Sequence, residues 1–341
     1  MTGFIIRRLL AIPVVLLGMS FLLFTLSQLV PVDPAAAYLG GRLGQTAEFQ
    51  EQAIRQLREK WGWDKPIFER YVIYLEGLAT GDLGVSSTTN RPVIEDLVAA
   101  VPATMELVVA TMILAIGLAL PLGVFVAARR GGIIDKVFQV TSVLTISAPV
   151  FWLALVANSV FYLHLGWAAG PGRIGLFVEE PPRVTGFITI DSLLAGNLDA
   201  FLSGLHHLVL PASVLGLVVG VYLARIVRQE MGNALEAEYI RTAESKGIPR
   251  RVVLYRHGLR NAIVPVITLS GIAFGSLLTG AILVEAIVGW PGLGTYAFLV
   301  SKRLDLPAIT GVALTVGLVF LLANLVVDVL YAAVDPRVRL R

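Results

Sequence analysis

The stretch LVVATMILAIGLALPLGVFVAA, from Leu107 to Ala128, contains no charged residue. A helix of about 20 apolar residues, rising about 1.5 Å each, crosses the roughly 30 Å hydrocarbon core of a bilayer. Five more windows read the same way: Leu9–Val30, Val137–Leu163 with Pro149 breaking it, Leu208–Ala224, Ala262–Val284 and Leu306–Val327. The fourth is short and extends to about Leu205 if His206 and His207 lie at the headgroups. Leu193–Leu205 is too short to span and contains Asp199, so it is read as interfacial or packed on the bundle. The whole chain agrees: 56% of its 341 residues are hydrophobic and 15% charged, against about 25% charged in soluble domains. The fold class expected is all-α and polytopic, with six transmembrane helices.

Leu9–Val30 follows Arg7 and Arg8, as a signal peptide would. Its apolar run exceeds the 7–15 residues of a signal h-region, which favours a retained anchor. Lys and Arg near the span ends set orientation. With both termini cytoplasmic, the larger share of the 27 Lys and Arg falls inside, concentrated in 225–260. The outer ones lie mostly in one long segment, which weighs little in this rule. The net charge of +3 thus reads as a topology signal, with no nucleic-acid partner.

The expected organisation is a transmembrane helix over 1–30, an extracytoplasmic helical segment over 31–100, a transmembrane domain over 101–331 and a cytoplasmic tail over 332–341. In the outer segment Phe49, Ala53, Ile54 and Leu57 share helical spacing after Thr46, a candidate N-cap, and Gly62 ends that helix. Phe68, Tyr71, Val72 and Leu75 mark a second amphipathic stretch, with Gly77, Gly81 and Gly84 behind it. Such faces need burial, so a small helical outer subdomain is expected, with Phe49, Ile54, Leu57, Tyr71 and Leu75 buried.

The loop 225–260 is basic, and Ala234–Lys246 reads as a short helix with Ala237, Ile240 and Ala243 on one face. Gly247 suits its C-cap, and Pro249 prevents continuation. Such a helix suits a groove in another protein. At this point the sequence resembles a known family. Glu238-Tyr239-Ile240-Arg241-Thr242-Ala243-Glu244-Ser245-Lys246-Gly247 is similar to the cytoplasmic EAA signature of ABC importer permeases. Arg256-His257-Gly258-Leu259-Arg260-Asn261-Ala262-Ile263-Val264-Pro265 resembles its tail in the dipeptide/oligopeptide branch. Arg241 and Thr242 stand where the general signature has Glu and Ala, a departure that this branch tolerates. The start of the chain through Pro31-Val32-Asp33-Pro34 also resembles that branch, as do Gly81-Asp82-Leu83-Gly84, Arg91-Pro92-Val93 and Glu285-Ala286-Ile287-Val288-Gly289-Trp290-Pro291-Gly292-Leu293-Gly294.

The resemblance implies a type I ABC importer permease fold in a bacterial or archaeal inner membrane. It implies a second homologous permease, two cytoplasmic ATP-binding subunits, an extracytoplasmic substrate-binding protein and a peptide substrate. Carried over, Tyr239, Ile240, Arg241, Thr242, Ala243, Lys246 and Gly247 would form the coupling helix that contacts an ATPase.

The chain lacks a G-x-x-x-x-G-K-[ST] phosphate loop, so ATP hydrolysis falls to a partner, and no cofactor or catalytic residue is expected. With no cysteine and two adjacent histidines that point about 100° apart on a helix, no metal site is expected either. A stand-alone secondary transporter, the competing class, would be expected to carry charges in mid-span, and the six windows carry none. An intramembrane hydrolase would need a Ser–His pair at depth, and none is suggested. Pro121, Pro149 and Pro211 are candidate kinks, and Gly216/Gly220 and Gly271/Gly275 are candidate packing seams. Glu285 and Asp328 fall at span ends, where interface or subunit contacts are expected.

Overall fold

A computed structural model describes residues 2–29 and 65–334. The expected helix around Phe49, Ile54 and Leu57 and residues 335–341 of the expected tail lie outside the described residues, while 332–334 continue the last helix. Those described are helical, apart from loops and one isolated antiparallel bridge between Val85 and Pro92.

The helices run α1 (Thr2–Leu29), α2 (Ile67–Thr80), α3 (Val93–Ala127), α4 (Ile133–Ser147), α5 (Val150–Ala157), α6 (Ile188–Leu194), α7 (Leu198–Leu235), α8 (Glu238–Ser245), α9 (Arg250–Val252), α10 (Leu259–Val288), α11 (Leu293–Lys302) and α12 (Leu306–Val334). Wider π-helical turns follow α5 and α9, over Asn158–His164 and Val253–Gly258. Among the described residues five helical stretches are long and apolar enough to span a membrane, and the bent pair Ile133–Ser147 with Val150–His164 makes a sixth where it crosses as one broken span.

The spans are longer than their apolar windows. The helix of Leu107–Ala128 begins at Val93, where Pro92 starts it and Glu95 and Asp96 meet the positive end of its dipole. Leu198–Leu205 forms the first turns of α7, capped by the Asn197 side chain, which accepts from the Ala200 N–H at 2.9 Å. The prolines act unequally. α3 continues through Pro102 and Pro121, and α7 through Pro211. At Pro149 the chain bends by 93°, because Ala148 and Pro149 both leave the helical region at ψ near 130°.

The centre of the bundle is the pair α3 and α7. Thr111, Ala115, Ala119 and Gly123 recur every fourth residue on α3 and are buried, as are Ala212, Gly216, Gly220 and Ala224 on α7. A Cβ on Gly220 would sit 3.2 Å from the Ala115 carbonyl, and one on Gly123 would sit 2.5 Å from Val227 Cβ. Small residues thus let the two backbones approach. α10 packs against α7, α12 and α5. α1 lies at the rim, touching α12 and α2.

Tyr71 of α2 meets Phe21 of α1 edge-to-face and Phe24 at a tilt, and its hydroxyl lies 3.0 Å from Ser20 Oγ. Tyr71 and Leu75 are half-buried, but Phe68 and Val72 of the same expected face are exposed. The reason is geometric: one narrow stripe of a two-sided helix meets α1, and Tyr71 and Tyr74 occupy it.

Candidate functional site

The two ends of the bundle differ. At one end α7 stops at Leu235, and Ala237 is extended at φ −72°, ψ 149°. α8 then starts afresh at Glu238. The single helix expected over Ala234–Lys246 is therefore two: Ala234 and Leu235 belong to α7. Ile240 and Ala243 are buried against Val253, with Leu235 and Ile248 alongside. This apolar contact seats α8 on its own chain.

The C-terminus of α8 forms a Schellman motif. Gly247 has φ +71°, its N–H donates to Glu244 O at 2.9 Å, and the Ile248 N–H donates to Ala243 O at 3.3 Å. No atom comes within 4 Å of a Cβ placed on Gly247, so the left-handed backbone alone requires glycine there. Arg250 ties the following turn to Glu244 at 2.6 Å.

The seven residues expected to share one role thus divide. Ile240 and Ala243 face the chain's own core, and Gly247 shapes the turn. Tyr239, Arg241, Thr242 and Lys246 are exposed. Around them, Arg228 pairs with buried Asp135, which also accepts from the Gly131 N–H at 2.9 Å, and Arg130 pairs with Glu236 at 2.6 Å. Arg8 of α1 pairs with Asp328 of α12 at 3.1 Å at this same end.

The opposite end is organised by buried carboxylates. Glu285, at the end of α10, is fully buried, so the expected subunit contact is corrected to an internal one. Its Oε1 accepts from Thr104 Oγ1 and its Oε2 from the Gly294 N–H, both at 2.7 Å. Thr104 Oγ1 in turn accepts from the Leu293 N–H at 2.7 Å, and Trp290 Nε1 donates to Ala103 O at 2.9 Å. The segment from Glu285 to Gly294 is thereby clamped onto α3. Gly289 makes the turn, with φ +72° and Pro171 packed where a Cβ would be.

Glu106, one residue before the apolar window of α3, is buried and accepts from Arg173, from the Thr189 N–H at 2.8 Å and from Thr189 Oγ1 at 2.6 Å. Asp191 of α6 accepts from the N–H groups of Val184, Thr185 and Gly186 and from Thr185 Oγ1 at 2.7 Å. Burial works against its charge, but these bonds together outweigh it and hold the carboxyl below the usual range. Asp305 accepts from Ser86 Oγ at 2.6 Å and the Thr88 N–H at 2.9 Å.

Sequence reasoning missed Thr104, Glu106 and Asp191. The pattern Glu285–Gly294 is visible as a motif, but its partner on α3 is 181 residues away in the chain. His206 Nε2 lies 2.8 Å from Trp167 O and His207 Nδ1 2.7 Å from Ser203 O, so each ring has a backbone partner. One end therefore binds itself through buried polar contacts, and the other presents a seated helix with an exposed polar face.

Residues 119–340 match the family described as binding-protein-dependent transport system inner membrane component, and residues 1–108 match its N-terminal counterpart. The chain is 38% identical to the probable D,D-dipeptide transport system permease protein DdpB of Escherichia coli K12, covering 95% of this chain and 94% of that protein. It is 37% identical to the dipeptide transport system permease protein DppB of Alkalihalophilus pseudofirmus, covering 99% and 100%. It is 32% identical to a glutathione transport system permease protein, GsiC, of Escherichia coli O6:H1, covering 99% of both chains. With five to six apolar helical segments long enough to span a membrane and family matches over nearly its whole length, the chain belongs to the binding-protein-dependent transport system inner membrane components and is a multi-pass permease of a bacterial transport system.

Proposed function

We propose that this permease is the membrane subunit of an ATP-driven importer of the dipeptide/oligopeptide class. It forms the translocation pathway with a second, homologous permease and receives peptide from an extracytoplasmic binding protein. Two cytoplasmic ATPases drive it through α8. The chain sits in the inner membrane with both termini cytoplasmic, and the clamped Trp290 end faces outward. Hydrolysis belongs to the ATPases, and this chain converts their closure into helix movement.

The observation that carries this reading is α8. Ile240 and Ala243 anchor it to the bundle, while Tyr239, Arg241, Thr242 and Lys246 remain exposed. A helix joined to α7 by a two-residue turn and to α10 through α9 and a π-helical turn passes a push on its outer face to both spans. The names of the relatives, dipeptide permeases among them, support the substrate class.

The test is co-purification of the ATPases and peptide uptake at equal membrane levels. Arg241→Glu with Lys246→Glu, and separately Tyr239→Ala, should reduce ATPase association about tenfold or more, as anchor residues at interfaces do. Normal association and uptake in all variants would remove α8 from the coupling path. Reporters fused after residue 60 should read outside and after residue 245 inside; the reverse would invert the assignment of the two ends.

A further inference from the structure

A groove of about 410 Å³ opens between α3 and α4, with Val221 of α7 also lining it. Phe125, Val126, Ile133, Val137 and Phe138 are among its walls. Its three hydroxyls need nothing from an occupant: Thr141 donates to Val137 O, Ser142 to Gln139 O and Thr145 to Thr141 O, each at 2.9 Å within α4. The groove is in effect apolar. Its lining on α4 extends from Ile133 to Thr145, about 18 Å at 1.5 Å per residue. The hydrocarbon of one bilayer leaflet is about 15 Å deep, so the groove has the length of one acyl chain.

A cation touches the wall of this groove where α3 turns into α4. The guanidinium carbon of Arg129 lies 3.8 Å from the centroid of the Phe125 ring, which is itself a lining residue. Arg129 is exposed, and one of its five donors reaches Phe125 O at 3.4 Å. The guanidinium is thus held on the wall with donors to spare. The carboxylates near the turn are engaged elsewhere: Asp135 accepts from Arg228 and from the Gly131 N–H, and Glu236 pairs with Arg130. On α7, Arg225 follows the lining Val221 by one turn toward the same end, and it is exposed with no polar partner among the described residues. An apolar slot that ends on a cation without a carboxylate partner complements an amphiphile with an anionic head.

We propose that this groove is a binding site for an anionic phospholipid, with one acyl chain between α3 and α4, the phosphate on Arg129 and Arg225 as a second contact. The site depends on the chain lying in a bilayer, and on neither the transported substrate nor the ATPases.

The full-length permease, purified with its co-expressed partners, is stripped of lipid and titrated with phosphatidylglycerol or phosphatidylcholine under native mass spectrometry. The parent should retain phosphatidylglycerol preferentially. Arg129→Gln, alone and with Arg225→Gln, should lower that retention about fivefold per cation and leave phosphatidylcholine unchanged. Lys302→Gln, which removes an exposed cation away from the groove, should change neither lipid. Val137→Trp, which fills the groove from an exposed position, should reduce both. Equal retention of the two lipids by the parent overturns the proposal, as does unchanged retention in Arg129→Gln or in a folded Val137→Trp. An equal loss in Lys302→Gln would reduce the effect to general surface charge and overturn it too. A photo-cross-linker at Ile133, which lines the groove and is exposed, should label phosphatidylglycerol; labelling of a partner protein instead would make the groove a protein interface and overturn the lipid assignment. If Val137→Trp fails to fold, Arg129→Gln decides, since Arg129 is exposed.

Discussion

The two ends of the bundle solve opposite problems. At the Trp290 end, Glu106, Asp191, Glu285 and Asp305 are buried, and each accepts two or more hydrogen bonds from the chain itself. Removing such a carboxylate strands several donors in a dry place. At the α8 end the apolar contact is small; one carboxylate, Asp135, is buried on Arg228, and other charged groups lie outside in exposed pairs such as Arg130–Glu236 and Arg250–Glu244. Exposed pairs contribute little to stability. The comparison teaches that this fold concentrates buried carboxylates at one end and keeps most charged groups of the other at the surface.

The largest effect expected is at Glu285. Glu285→Ala leaves the Thr104 hydroxyl and the Gly294 N–H without their acceptor and should destabilise the protein by about 2–4 kcal/mol. Glu285→Gln should be milder, because one amide oxygen still accepts. Thermal unfolding of purified protein checks the order; equal midpoints for parent and Glu285→Ala would mean that the clamp contributes nothing.

Between the two ends lies the α3–α7 seam. Gly123→Ala places a methyl against Val227 Cβ and the Ala224 carbonyl, so the helices must separate. A cost of about 1–3 kcal/mol is expected. The same substitution at Gly117, which has open space, should be neutral or slightly stabilising, and the contrast is read in the same unfolding assay.

At the α8 end, Gly247→Val should cost about 1–2 kcal/mol through backbone strain alone. Its effect should appear as faster hydrogen exchange confined to α8 and its turns. Ala243→Asp should do the same by burying a carboxylate beside Ile240 and Val253. A uniform rise in exchange across the bundle would contradict the picture of a separately seated helix.

Asp191 supplies a pH test of the opposite end. Its folded pKa is depressed, so its stabilising contribution is present above the unfolded value of about 3.9 and is lost as pH falls through the folded value. The segment 184–187 should keep its exchange protection from pH 8 to pH 5 and lose it only in stronger acid. Loss near neutrality would point to another group. The smallest effect is expected for Arg130→Ala, because its partner Glu236 is exposed: within about 0.5 kcal/mol.

The spans were legible because a bilayer imposes length and apolarity on every crossing segment, and those properties are local. Loop charge gave an expected orientation by the same local logic, and Gly247 followed by Pro249 announced the end of α8. Helix ends were less legible. Val93–Glu106 and Leu198–Leu205 mix polar and apolar residues, and only their burial against other segments extends α3 and α7 beyond the apolar windows. In the expected coupling set the shared face of Ile240 and Ala243 was legible from spacing, but its partner was not: that face meets Val253 of the same chain, ten or more positions away, instead of another protein's groove.

Chemistry local to the chain thus determined the helical class, the six apolar segments and the turn at Gly247. Tertiary structure alone decided which carboxylates are buried, that Glu285 answers to Thr104, that Pro149 bends the chain by 93° while Pro121 and Pro211 do not break their helices, and which face of α8 is left outside. The physical reason is range. Apolarity and backbone conformation are set within a few residues. The burial of a charge and its hydrogen-bond partners depend on groups that only the packed bundle brings together.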